Sequence, residues 1–163
     1  MQHQLIIKMV LDAWDTQIKR TDDLLNQLSD EQLMTEVSPG RNRGVYLLGH
    51  LAAVHDRMFR LLNLGEELNP GMYELFVVSP DKSGVTVPHV SELRLYWMKV
   101  NSQLTERFSK LSPEDWFQRH TSISEEDFKK EPHRNKLNII INRTNHLATH
   151  LGQLVLLKPK QQE

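Results

Sequence analysis

The first 38 residues contain neither proline nor glycine, and the earliest break is Pro39-Gly40. Within that run Met9, Val10, Ala13, Trp14, Ile18, Leu24, Leu25 and Leu28 fall mostly on one side of a helix. The pattern predicts a helix over residues 3–28. An apolar stripe of that length cannot stay in water, so other elements must cover it. The chain offers three candidates, all helical. Residues 44–63 place Leu47, Leu51, Val54, Met58, Leu61 and Leu62 on an inner face, and Ser91 caps a third helix with Leu93, Trp97, Val100, Leu104 and Phe108. The fourth helix spans residues 135–157. Trp14, Trp97, Trp116, Phe59 and Phe108 fall at helical spacing and read as core.

The segments between these helices differ in character. Residues 64–88 hold three prolines and three glycines, too much turn chemistry for a long helix, while 117–134 is polar. The run Leu75-Phe76-Val77-Val78 reads as a short extended piece, and one such piece builds no sheet. Ser29 and Gln32 have the spacing of a capping box. The phrase Leu28-Ser29-Asp30-Glu31 is echoed by Leu111-Ser112-Pro113-Glu114, which marks either two related hairpins or two ordinary caps. The expected fold is an all-α four-helix bundle forming one domain over residues 1–163.

Charge and composition narrow the function. Twenty basic and twenty-one acidic side chains give a net charge of −1, with no basic run longer than two residues. That balance argues against nucleic acid and against an anionic membrane as partners. No apolar run approaches the roughly 18–20 residues of a membrane span. The N-terminus lacks the features of a signal peptide, so a cytoplasmic location is expected. With no cysteine, disulfides, thiolate ligands and a cysteine nucleophile are all excluded.

The last helix carries the chemistry. Leu137, Ile140, Ile141, Leu147, Ala148, Leu151, Leu154 and Val155 define an inward face, and beside it runs a line of Asn142, His146, His150 and Gln153. Residues four apart stand roughly 40° apart around a helix and one turn apart along it, so His146 and His150 can present two imidazoles to one ion. Such a pair is also common in helices that bind nothing. His50, flanked by Leu47, Leu51 and Val54, is the candidate third ligand from the second helix, although a lone histidine on an apolar face is more often a satisfied core residue. His55 lies roughly 140° away around that helix and reads as outward. His3, His89, His120 and His133 read as solvated. Three neutral imidazoles suit zinc, nickel, copper or ferrous iron and leave a coordination position open. Asn142 and Gln153 lie on the line either to orient the rings or simply to hydrogen-bond backbone or water, and Gly152 either admits a close neighbour or a ligand or is merely tolerated.

Leu47-Leu48-Gly49-His50-Leu51 and Asn145-His146-Leu147-Ala148-Thr149-His150-Leu151-Gly152-Gln153-Leu154 resemble segments of the DinB-like superfamily of metalloenzymes. So does Leu28-Ser29-Asp30-Glu31-Gln32-Leu33 with the Pro39-Gly40 that follows it, and the likeness covers nearly the whole chain. The resemblance implies an up-down-down-up bundle and a divalent transition metal on His50, His146 and His150. Zinc or nickel comes first, with iron or manganese as alternatives. It also implies a homodimer, a small-molecule substrate, and either S-transfer with a low-molecular-weight thiol cosubstrate or hydrolysis. Many members carry a basic or second histidine residue just before the glycine, where this chain has Leu151, and substrate specificity does not transfer across that difference.

Two classes of function follow. One is a metal-dependent transferase or hydrolase whose pocket is shaped by residues 64–88 and 117–134. No carboxylate lies on the histidine line, which favours the thiol over water, unless Asp12, Asp15 or Asp22 reaches across from the first helix. The other is a non-catalytic module that uses a metal or small ligand for structure or interaction, with a vestigial, empty triad as its limiting case.

Overall fold

The computed structural model describes residues 2–159, and those residues are all-helical apart from turns and two isolated bridges. The elements are α1 (Gln2–Gln27), α2 (Asp30–Leu33), α3 (Gly44–Asp56), α4 (Met58–Leu61), α5 (Gly71–Tyr73), α6 (Val90–Phe108), α7 (Glu125–Lys130) and α8 (Lys136–Leu154). A π-helical segment, Glu74–Val78, follows α5, and 3-10 turns occupy Asp115–Phe117 and Val155–Leu157. The run 75–78 is therefore helical, not extended.

The ends of the helices follow from local chemistry. Ser29 Oγ accepts the Gln32 N–H while Gln32 Oε1 accepts the Ser29 N–H, the predicted reciprocal cap. Ser112 and Asp115 repeat that exchange, so the echoed phrases are two caps. Asn135 caps α8 through the Asn138 N–H. The third long helix starts earlier than Ser91 suggested. Glu92 Oε2 accepts the His89 N–H, which puts the cap at His89 and Val90 inside the helix.

Helix α1 packs on α8, and α3 packs on both α6 and α8. Every residue of α3 except His50 is buried. A helix enclosed on all sides needs no polar face, and residues 44–54 carry no charge. One apolar cluster joins Leu24, Leu33, Leu48, Leu51, Phe76, Trp97 and Leu147, and the other joins Trp14, Phe59, Leu104, Phe108, Trp116 and Ile140. All five predicted core aromatics are buried.

This enclosure overturns the reading of His55. The ring is completely buried between Trp14 and Trp97, with centroids 4.7 and 5.0 Å away, and its Nδ1–H donates to Asn101 Oδ1 at 2.8 Å. His50 and His55 point in different directions and both meet protein. His120 was expected in solvent but is also buried, with Ser122 Oγ 2.9 Å from its Nδ1. His3, His89 and His133 are exposed as expected. In the other direction, Met9, Ala13, Ile141, Ala148 and Val155 face outward, so the inner stripes of α1 and α8 are narrower than their apolar patterns.

Candidate metal centre

His50 reaches the centre from α3, and His146 and His150 reach it from α8 on successive turns. His146 Nε2 lies 3.1 Å from His50 Nε2 and 3.1 Å from His150 Nε2. One ring nitrogen from each of the three lies within 4.8 Å of the other two. All three side chains are half-buried.

The outward nitrogens set the tautomers of two rings. His50 Nδ1 is 2.8 Å from the Phe76 carbonyl oxygen, and His150 Nδ1 is 2.7 Å from Gln153 Oε1. Both partners can only accept, so both Nδ1 atoms carry the proton and both Nε2 lone pairs point inward. His146 Nδ1 is buried with no partner among the described residues. Burial holds the His50 imidazole below the usual histidine range despite the Phe76 carbonyl, which pulls upward. His146 is pushed down to about 4, chiefly by burial and then by His150, His50 and Arg143. Both rings are therefore neutral at pH 7, the form that ligates.

The donor set fits a divalent transition ion. Nitrogens bound at about 2.0–2.1 Å in a tetrahedral array stand roughly 3.3 Å apart, close to the spacing found here. Without a cation, His146 Nε2 carries at most one proton and faces two inward lone pairs. A cation at the centre satisfies all three rings at once.

A feature of the fold makes the His50 contact. The π-helical segment ends at Ser79, so no later N–H reaches the Phe76 carbonyl, and His50 takes it. Phe76 comes this close because α3 has a glycine opposite it. A Cβ on Gly49 would stand 2.5 Å from Phe76 Cδ1 and 2.6 Å from Cζ, with Cε1 nearer still. Tyr46, one turn before His50, stacks beside its ring and donates its hydroxyl to the Ser79 carbonyl, fixing the far end of the same segment.

Several sequence expectations change on this geometry. Of the two readings open for each, Gln153 takes the orienting one through His150, whereas Asn142 is exposed and takes no part. Gly152 has open space around it, so the close approach belongs to Gly49 instead. Segment 64–88 supplies Phe76, but 117–134 is tied to the end of α4 through the Thr121 N–H on the Leu61 carbonyl. A cleft of about 480 Å3 lined by Val37, Ser38, Arg41, Asn42 and Leu156 has Gln153 in its wall, which brings loop 37–42 to the edge of the centre. The acidic residues of α1 are engaged elsewhere or exposed. Asp12 pairs with Lys8, Asp22 accepts from Trp97 Nε1, and Asp15 faces solvent. His150 and Arg143 act on His50, and His150, His50 and Arg143 act on His146, while the three-histidine group includes no Asp or Glu among the described residues. No helix among the described residues is long and apolar enough to cross a membrane.

The sequence pattern of one protein family, the DinB superfamily, matches residues 13–154. That span contains all three histidines and every long helix apart from the first turns of α1. No curated protein matches the chain.

Proposed function

The chain belongs to the DinB superfamily, and from that premise we propose a metal-dependent enzyme built on His50, His146 and His150. One divalent transition ion would be held there, zinc or nickel by preference and iron or manganese as alternatives. The observation that carries this reading is the convergence of three Nε2 atoms, two of them fixed by outward Nδ1–H bonds. The group contains three potential ligands among the described residues. A purely structural site is usually closed by a fourth ligand, so a set of three speaks against a metal that serves stability alone. Once bound, such an ion lowers the pKa of a thiol or water held at its open position.

We favour S-transfer with a low-molecular-weight thiol over hydrolysis. Hydrolysis asks for a general base near the nucleophile, and the three-histidine group includes no Asp or Glu among the described residues. A thiolate needs no such base once its proton has left. His50 and His150 would hold the site rigid through Phe76 and Gln153, and the substrate would be a small molecule in the cytoplasm. A homodimer is part of the proposal. Exposed Met9, Ala13 and Ile141 with half-buried Val10 form an apolar patch across α1 and α8 for a second copy to cover, and light scattering gives the mass.

The test is metal content measured by mass spectrometry on untagged protein purified without chelators, alongside His50→Ala and His146→Ala. About one equivalent in the parent, absent from both variants while each stays helical by circular dichroism, is the expected result. A parent that holds no metal and takes up neither zinc nor nickel would refute the reading and leave a helical binding module.

A further inference from the structure

Arg143 is the charged residue that the proposed chemistry leaves without a task. Its Nε is buried and has no hydrogen-bond partner among the described residues, and its guanidinium makes no ion pair there. The other half-buried arginines are all matched. Arg43 is bidentate to Asp81, Arg94 binds Asp30 and two backbone carbonyls, and Arg134 meets Glu131. Burial lowers the Arg143 pKa, opposed only by Tyr73. A buried N–H with nothing to donate to is costly to keep, and an acceptor on a ligand supplies the missing partner.

Its position points to the histidine centre. Arg143 precedes His150 by seven residues, which is roughly 20° around the helix, so both lie on one stripe of α8 with His146 beside them. Along the axis it stands about one turn from His146 and two from His150. Its charge is felt by His50, His55 and His146, on two different helices. With an ion bound, the centre would combine three imidazoles, a cation and a guanidinium, and the three-histidine group includes no Asp or Glu among the described residues.

We propose that Arg143 anchors an anionic group, a carboxylate or phosphate, on the small molecule that reacts at the three-histidine centre. The inference rests on the metal-enzyme reading above and deepens it. The substrate or cosubstrate carries its anion a few bonds from the atom held at the centre, since one to two helical turns separate anchor and rings. Planar, bidentate recognition of the anion follows from guanidinium geometry, which a lysine does not reproduce.

Two measurements on the full chain test this. First, the Arg143 Nε–H resonance is followed by NMR while inorganic phosphate or acetate is added, with and without one equivalent of zinc. A saturable shift is expected, and no shift with either anion under either condition overturns the proposal. Second, cobalt-loaded protein is titrated with 3-mercaptopropionate and with 2-mercaptoethanol, read by the cobalt–thiolate absorption. The parent should bind the carboxylate thiol about tenfold more tightly than the neutral one. Arg143→Gln should abolish that preference while leaving neutral-thiol affinity and metal content unchanged, and Arg143→Lys should recover only part of it. A preference equal in parent and Arg143→Gln overturns the anchor while the metal-enzyme reading stands. Failure of both thiols to bind cobalt-loaded protein, with the phosphate or acetate shift intact, sinks the thiol chemistry and leaves the anion site.

Discussion

Replacing Gly49 with alanine should weaken the fold and the metal centre together, because one glycine serves both. The added Cβ would lie 2.5–2.6 Å from two Phe76 ring atoms, where carbon atoms prefer about 3.5–4.0 Å, so the ring must retreat by roughly 1 Å. Phe76 is fully buried within the cluster that contains Leu48, Leu51 and Trp97, and it has no open side to move into. Overpacking of this kind costs about 1–3 kcal/mol, and three ring contacts place Gly49→Ala at the upper end. Alanine offsets about 1 kcal/mol of that as the better helix former. The net loss is about 2 kcal/mol, which for a chain of this size lowers Tm by roughly 4–8 °C. The Phe76 carbonyl must move with its ring, so His50 loses the acceptor that fixes its tautomer. Losing an orienting partner of that kind costs about 10- to 100-fold in metal affinity. Thermal melts of the metal-free protein and competition against a chromophoric zinc chelator read the two effects separately. The double variant Gly49→Ala with Phe76→Leu should recover most of both, since leucine relieves the overlap and the acceptor is backbone. A Gly49→Ala protein that melts no lower than its parent and binds zinc as tightly would refute the argument.

Other substitutions probe the neighbouring contacts. Gln153 is exposed and its one resolved task is to accept the His150 Nδ1–H, so Gln153→Leu should lower zinc affinity about 10- to 100-fold and leave Tm within about a degree. Asp56 is buried and accepts from the Leu68 and Asn69 N–H groups and the Tyr96 hydroxyl. Asp56→Ala should cost about 3 kcal/mol in urea unfolding, because three donors lose a charged partner, and Asp56→Ala with Tyr96→Phe should cost less than the sum of the singles. His55 has its pKa pushed down to about 3 by burial, against about 6.5 when unfolded. Between those values the unfolded chain holds the extra proton, so stability is full above pH 6.5 and is lost as pH falls toward 3. The slope approaches about 1.4 kcal/mol per pH unit. Metal-free His55→Phe should lose less stability than the parent between pH 6.5 and 5 in urea titrations; equal losses would remove His55 as the cause.

Much of the fold was legible because α1, α6 and α8 touch the core along one side, the situation that helical periodicity describes. Trp97, Val100, Leu104 and Phe108 are all buried as their spacing requires. The same reasoning failed for α3, where a helical wheel assigns one inner face to a helix that has neighbours all round. The signal was present in the absence of charge from residue 44 to 54. Read that way, α3 admits both His50 and His55 to the interior, and rotation between them excludes neither. The apolar patterns of α1 and α8 erred in the other direction, since Met9, Ile141 and Val155 are apolar yet exposed.

At the centre, legibility follows the helix drift of roughly 40° for every four residues. One step keeps His146 and His150 together, and a return of three residues from His150 brings Gln153 back to its ring. Two steps carry Asn142 roughly 80° from His150, and it ends in solvent. Seven residues restore the register, which is why Arg143 was the neighbour to weigh in place of Asn142. The Phe76 contact was out of reach for another reason. Its acceptor is a backbone carbonyl, freed by the end of a π-helical segment, and any residue type carries such an oxygen. The trace it leaves in the sequence is the residue that makes room for it, the glycine directly before His50.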